Sequence, residues 1–390
     1  MLSLLRPRIL ASLVAAIAAL ASLWLLPTTA VADTGALIPP PPAIAAKGYI
    51  VMDPNSGVVV AAVNDTQRLE PASLTKLMTA YVVFDALRAN KLKLDQTLTI
   101  SPAAWKQEGS RTFLEPGMQV RAEDLIKGMV IQSGNDAAVA LAEAVAGNEQ
   151  SFAQLMNLHA QRLGMNASHW ENATGLPSAD HYTTARDLAT LAAAVIREFP
   201  QHYRYYSMRE FTFNGITQPN RNGLLGRDAS VDGIKTGHTD SAGYCLMSSA
   251  QRQGMRLVTV VLGTESPRAR EDASEALLNW GFSFFESRRL YSAGKAVRTA
   301  EVFKSGEQAG FGVRRDLWVT VPRGDFARVK VTVALQPRLI APLAVTQAVG
   351  RITATLDNQT VGQATLHAVH AVPAGNFLRR GWDSVRLLWN

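Results

Sequence analysis

The chain lacks the residues that would cross-link it, metallate it or bind it to nucleic acid. Cys245 is the one cysteine in 390 residues, so no intrachain disulfide can form. In an exported protein it reads as a buried thiol on the strand that carries Lys235 to Gly237. The seven histidines include no H-E-x-x-H and no Cys/His cluster, so no metal and no cofactor is expected. His367 and His370 fall in an alternating stretch and are expected on opposite faces of a strand. Lys and Arg total 39 against 32 acids, a formal charge of +7, with no block of basic residues, which argues against a nucleic-acid partner. After the N-terminal segment no apolar run is long enough to span a bilayer.

That N-terminal segment, residues 1–32, reads as a secretory signal. Arg6 and Arg8 precede an apolar run to Leu26, and Ala30-Val31-Ala32 is a small-residue cleavage site. An uncleaved membrane anchor is the other reading. The signal holds two arginines and no acid, so its removal takes the charge from +7 to +5. The remaining 358 residues (390 − 32) suffice for two domains with their own cores.

What the chain does have is three short motifs in one order: Ser73-Leu74-Thr75-Lys76, Ser133-Gly134-Asn135 and Lys235-Thr236-Gly237. A lone S-x-x-K is weak, and Ser292-Ala293-Gly294-Lys295 is a second, meaningless instance. S-G-N and K-T-G each occur once, and the intervals are 60 residues from Ser73 to Ser133 and 102 from Ser133 to Lys235.

Each motif sits where its chemistry needs it. Pro71 stops any incoming helix, and apolar residues at Leu77, Ala80, Tyr81, Phe84 and Leu87 then follow a helical period. Ser73 therefore opens a helix, with Lys76 three residues on and facing the same side. A serine hydroxyl needs a base, and a lysine serves only if burial or a neighbouring cation lowers its pKa; Lys235 is the expected source of that field. Ser133-Gly134-Asn135 joins two helical stretches, the second ending at Gly147, with Asp136 able to cap it. Val231 onward, through Lys235-Thr236-Gly237 to Met247, reads as a strand. Gly237 would let a ligand approach the backbone, and the strand edge would pair with a peptide. This trio describes a serine nucleophile with a lysine base, a second hydroxyl to carry protons and a cationic strand edge for a carboxylate.

On these motifs, and on PASLTKLMTAYVV, FLEPG, LIKGMVIQSGNDAAVALAE, YTTARDLA, EFTFNGITQPNRNGLL, VDGIKTGHTDSAGY and WGFSFFE, the chain resembles the D-alanyl-D-alanine carboxypeptidases of the penicillin-binding protein 5 type from about residue 45 to 390. The resemblance implies a penicillin-binding, serine β-lactamase-like α/β (α+β) domain: an antiparallel sheet flanked by helices, with a mostly helical subdomain. It implies that Ser73 is acylated by the penultimate D-alanine of a peptidoglycan pentapeptide stem, with Lys76 as base and Ser133 and Lys235 completing the proton and charge network. Asn135 would bind the substrate amide. Thr236, Gly237, Arg221 and Arg270 would line the site and help to hold the terminal carboxylate, and His238 would supply an oxyanion N–H with that of Ser73. β-Lactams would acylate the same serine. The protein would be periplasmic, attached to the outer face of the inner membrane. Two departures stand out: the Trp105–Arg111 segment is short, and Thr174 stands where some relatives carry histidine.

The expected organisation is a signal at 1–32, a catalytic domain at 33–285, a small all-β domain at 286–373 and an amphipathic helix at 374–390. Pro39 to Pro42 mark an extended leader over 33–47. Val329, Val331, Val333 and Leu335, then Ile352, Ala354 and Leu356, alternate as strands of the all-β domain. In the tail, Leu378, Trp382, Val385 and Trp389 share one helical face, with Arg379, Arg380 and Arg386 on or near the other, the pattern of a helix lying in a membrane interface.

Three alternatives remain at this level. A serine β-lactamase would need a further base such as Glu171, although Gly175 stands where the accompanying asparagine belongs. A DD-endopeptidase would use the same apparatus, and a wall-binding module would keep its phenotype without Ser73.

Overall fold

The computed structural model describes residues 38–389; the signal assigned to 1–32 and the start of the leader lie outside them. The leader is docked from Ile38 onward: Ile38, Ile44 and Ala46 pack on an apolar core, and Trp280 Nε1 donates to the Pro39 carbonyl (3.1 Å).

The chain then forms β1 (Gly48–Met52), β2 (Val59–Val63), α1 (Lys76–Arg88), α2 (Asn135–Ala146), α3 (Glu149–Leu163), α4 (Ala185–Glu198), β3 (Val231–Thr239), β4 (Gly243–Arg252), β5 (Met255–Thr264) and α5 (Pro267–Phe284), with shorter elements between. The five strands make one antiparallel sheet in the order β2-β1-β5-β4-β3. It is buried on both faces. Ile50, Met52, Val258 and Val260 point to the helical side, while Tyr49, Val51, Leu257 and Val261 point to α5 with Leu277 and Leu278. Two covered faces explain why β1 and the Leu257–Leu262 stretch of β5 are almost wholly apolar, Thr259 excepted.

α1 differs from its expected one-sided pattern. Every residue from Lys76 to Phe84 is buried, because α1 is the central rod of the helical subdomain, packed by α2, α3 and α4. A helix enclosed on all sides needs no polar face. The strand read from Val231 to Met247 is in fact a hairpin. It turns at Asp240–Ala242, where Ala242 N donates to Thr239 Oγ1 (3.1 Å) and Gly243 takes φ +73°. Cys245 is buried, but on β4, opposite Gly237, and not on the Lys235 strand.

Beyond α5 the chain is all-β with cores of its own. Phe285–Tyr291 pairs with Leu317–Pro322. Ala296–Glu301, Gln308–Gly312, Gln359–Ala368, Gly350–Leu356 and Lys330–Leu335 lie side by side in that order. His367 is on a strand but His370 lies past its end, so the opposite-face expectation fails for His370. A buried polar link ties the two parts: Thr320 Oγ1 donates to Asp53 Oδ2 (2.7 Å) and meets Ser56 Oγ (2.7 Å).

The tail forms α6 (Phe377–Trp389). Leu378, Trp382 and Val385 are exposed together, Trp382 by 64%. Arg379 and Arg386 are not free for headgroups: both pair with Glu301 and with buried Asp383, whose carboxylate also takes the Lys304 N–H (2.6 Å). No helix among the described residues is long and apolar enough to cross a membrane.

Candidate active site

Ser73 lies in a 3₁₀ turn, Ala72–Thr75, that leads directly into α1. One turn of helix later, Lys76 Nζ stands 3.0 Å from Ser73 Oγ and donates to the Thr174 carbonyl at 2.6 Å. Lys76 is 1% exposed. Burial is the main reason its pKa falls to about 7; the Arg221 guanidinium lowers it further, while the carboxylates of Asp136 and Glu149 oppose the fall. Burial and Arg221 thus join the expected field from Lys235, whose own charge interacts with that of Lys76. Lys235 is itself held well below its ordinary value, by burial first and then by the charges of Lys76, Arg221 and Arg270.

The second lysine–serine pair is built the same way. After Ala122–Lys127 the helix widens over Gly128–Gln132 and ends with Ser133 at φ +69°, a left-handed conformation that is uncommon for serine and that turns the chain into the cleft. Lys235 Nζ, 2% exposed, donates to Ser133 Oγ (2.9 Å) and to the Thr236 carbonyl (2.9 Å).

Asn135 is fixed by the segment beside it. Its N–H donates to Ser110 O (2.7 Å) and its Nδ2 to Glu108 O, which leaves buried Oδ1 without a partner. Asp136 lies within the first turn of α2, after its N-cap position, and accepts that turn's Ala137 N–H as a cap would. Its buried carboxylate accepts the N–H groups of Thr112 (2.9 Å), Leu114 (3.2 Å) and Ala137 (2.8 Å) and so pins the neighbouring segment.

Two glycines allow the pieces to meet. A Cβ on Gly237 would stand 3.0 Å from Pro71 O and 3.2 Å from Ser73 N, so β3 lies against the nucleophile turn only because that position is bare. Gly175, at φ +83°, presses on the carbonyl of Ala72 and would set a Cβ 2.7 Å from Thr75 Oγ1.

Ser73, Ser133, Asn135, Arg221, Thr236, Gly237, His238 and Arg270 line one cleft of about 530 Å³, with Lys76 and Lys235 bonded behind the two serines. All ten residues singled out from the sequence therefore converge. Arg221 Nε donates to Gln132 O (3.1 Å). Arg270 donates through Nη1 to the strand backbone, at Gly237 O (3.1 Å) and Cys245 O (3.5 Å), while its Nε is unpartnered. Burial lowers the pKa of both arginines. The His238 ring stacks on Tyr244 with centroids 3.9 Å apart.

Sequence reasoning missed the Thr174 carbonyl and His181, which is buried and 2.8 Å from Thr75 Oγ1. A backbone acceptor leaves no trace in residue identity, and a lone histidine in HYTTA has no diagnostic spacing. Glu171 is bonded to Ser178 and does not line the cleft.

Comparison with known proteins agrees with this geometry. Residues 36–266 match the family model described as D-alanyl-D-alanine carboxypeptidase, and 285–374 match that of the penicillin-binding protein 5 C-terminal domain. The chain is 42% identical over 363 residues to the D-alanyl-D-alanine carboxypeptidase DacA of Escherichia coli K12, covering 91% of this chain and 90% of that one. It is 32% identical to DacF of Bacillus subtilis, covering 85% and 87%. The solved penicillin-binding protein 5 of Haemophilus influenzae superposes with a TM-score of 0.79 at 40% identity, covering 86% of this chain and 99% of that one. On the sequence, the fold and this site alike, the chain belongs to the D-alanyl-D-alanine carboxypeptidase family, of the type that carries a penicillin-binding protein 5 C-terminal domain.

Proposed function

We propose that this serine-type D-Ala-D-Ala carboxypeptidase works through Ser73 on peptidoglycan pentapeptide stems. Neutral Lys76 takes the Ser73 proton as Oγ attacks the carbonyl of the penultimate D-alanine. The oxyanion forms between the N–H groups of Ser73 and His238. The C–N bond then breaks, a proton reaches the leaving D-alanine amine through Ser133, and Ser73 carries an ester. Water attacks the ester and restores the serine. A β-lactam opens on the same Oγ.

The observation that carries this reading is the pair of buried lysine–serine contacts, Lys76–Ser73 and Lys235–Ser133, facing one cleft. Arg221 and Arg270 beside them give that cleft an excess of positive charge, which suits a substrate ending in a free carboxylate. Thr236 and the two arginines are assigned to that carboxylate. The unpartnered Asn135 Oδ1 is assigned to a substrate amide N–H. Release of D-alanine from a pentapeptide by the wild type, and its loss in Ser73→Ala, tests the assignment; release that survives the substitution refutes it.

We further assign the protein to the periplasmic face of the inner membrane, held by α6. The support is the exposed Leu378, Trp382 and Val385 face. Deleting 376–390 is expected to release the protein from membranes with activity intact; continued membrane association contradicts the assignment.

A further inference from the structure

We propose that His181 is a positioning residue for acylation: its neutral imidazole fastens the turn bearing Ser73 and Lys76 to the loop bearing the Thr174 carbonyl. The inference rests on the reading of Ser73 and Lys76 given above.

His181 is 3% exposed and meets the Trp170 ring edge-on, with centroids 5.5 Å apart. Its hydrogen bonds fix its tautomer. The Glu171 N–H can only donate, and it points at Nδ1 from 3.2 Å, so Nδ1 is bare and the proton is on Nε2. Nε2 then donates to Thr75 Oγ1 at 2.8 Å. The low pKa that burial gives this ring, about 4, is consistent with a neutral imidazole.

The two ends of this bridge matter. Thr75 directly precedes Lys76. Glu171 opens the loop in which Asn172 Oδ1 gathers Thr174 N (3.2 Å) and Gly175 N (2.7 Å), setting the Thr174 carbonyl that receives Lys76 Nζ. Thr79 Oγ1 also holds this loop through Ala173 O (2.7 Å), one turn along α1. Losing the His181 bond is therefore expected to loosen the loop beside Lys76 while leaving it attached. Water that enters there would let Lys76 keep its proton at higher pH. The charged groups that bear on Lys76 are Arg221, Asp136, Glu149 and Lys235, and those that bear on His181 are Glu171 and His169; no variant below alters any of them.

The test is the second-order rate of acylation of the full chain by a fluorescent penicillin, followed across pH. His181→Asn keeps an acceptor for Glu171 N–H but falls short of Thr75; His181→Gln reaches toward Thr75 with a donor. His181→Asn is expected to slow acylation about tenfold and to move its acid limb to higher pH, and His181→Gln to recover most of the rate. Thr75→Val, which leaves the ring in place, is expected to show the same defect and to add little to His181→Asn. Should His181→Asn fail to fold, Thr75→Val carries the same prediction alone. Wild-type rates with an unmoved limb, a loss of melting temperature without either change, or additive losses in the double variant each overturn the proposal. Failure of the reading beneath it is distinct, because the wild type itself would then take no label at Ser73.

Discussion

Lys235 Nζ sits 2.9 Å from Ser133 Oγ, although 102 residues separate them in the chain. β3 brings the lysine and the loop before α2 brings the serine, so the contact exists only when the sheet and the helical subdomain are both in place. Lys76 and the Thr174 carbonyl, 98 residues apart, meet within the helical subdomain, where α1 packs against the loop between α3 and α4. The site thus depends on contacts within the helical subdomain and across to the sheet, and its charges are tuned by the burial that the packing imposes.

Ser133→Ala removes the hydroxyl that the Lys235 ammonium reaches and leaves only the Thr236 carbonyl beside it. Acylation by a β-lactam and D-alanine release are both expected to fall by roughly 10²–10⁴, the usual range for a lost proton-transfer group. Stopped-flow acylation checks this; a loss below about threefold would remove Ser133 from the proton path.

The pH dependence follows from Lys76. Its pKa of about 7 means that the neutral, proton-accepting form dominates above that value, so acylation is expected to rise through pH 7 and to level off above it. Arg221→Gln removes the cation that lowers this pKa, so the limb is expected to move to higher pH. A higher KM with an unmoved limb would confine Arg221 to substrate binding. Stability carries its own sign. The folded pKa lies below the unfolded one, so the unfolded chain binds more protons between them, and the destabilisation due to this lysine shrinks as pH rises through that window.

Gly237→Ala inserts a methyl 3.0 Å from Pro71 O and 3.2 Å from Ser73 N. It is expected to push β3 from the nucleophile turn and to cut acylation by about 10² or more, in line with an ångström-scale misplacement. Normal acylation by Gly237→Ala would show that the close approach of β3 is not needed.

Asp136→Asn keeps the shape but loses the charge that gathers the Thr112, Leu114 and Ala137 N–H groups. A loss of about 2 kcal/mol in urea unfolding is expected, the range for hydrogen bonds to a charged group. The acid limb of acylation is expected to move to lower pH, because Asp136 favours the charged form of Lys76.

Much of this site was legible in residue types. Ser73, Lys76, Ser133, Asn135 and Lys235 belong to short motifs of set spacing, and the structure brings them to one cleft. The all-β domain was visible in alternation such as Ile352, Ala354 and Leu356, all of which are buried. What escaped depends on three-dimensional neighbours. A further cation acting on Lys76 is Arg221, which no spacing connects to it. Arg270, expected at the substrate carboxylate, does line the cleft, but the use of its Nη1 to hold the backbone of β3 and β4 has no signal in the sequence. The hairpin at Asp240–Ala242 was hidden in a run that reads as one strand. Arg379 and Arg386 read as headgroup contacts, yet their partner Glu301 lies on a strand of the preceding domain, 78 and 85 residues earlier.

The central claim is that Ser73 forms a covalent ester. Benzylpenicillin added to the chain lacking 1–32 and 376–390, followed by intact mass over time, tests it most directly. A lasting adduct of one drug mass, mapped to Ser73 and absent from Ser73→Ala, is the predicted result. Neither adduct nor hydrolysis, or an adduct that persists in Ser73→Ala, would contradict it, whereas rapid hydrolysis with no lasting adduct would point to a serine β-lactamase.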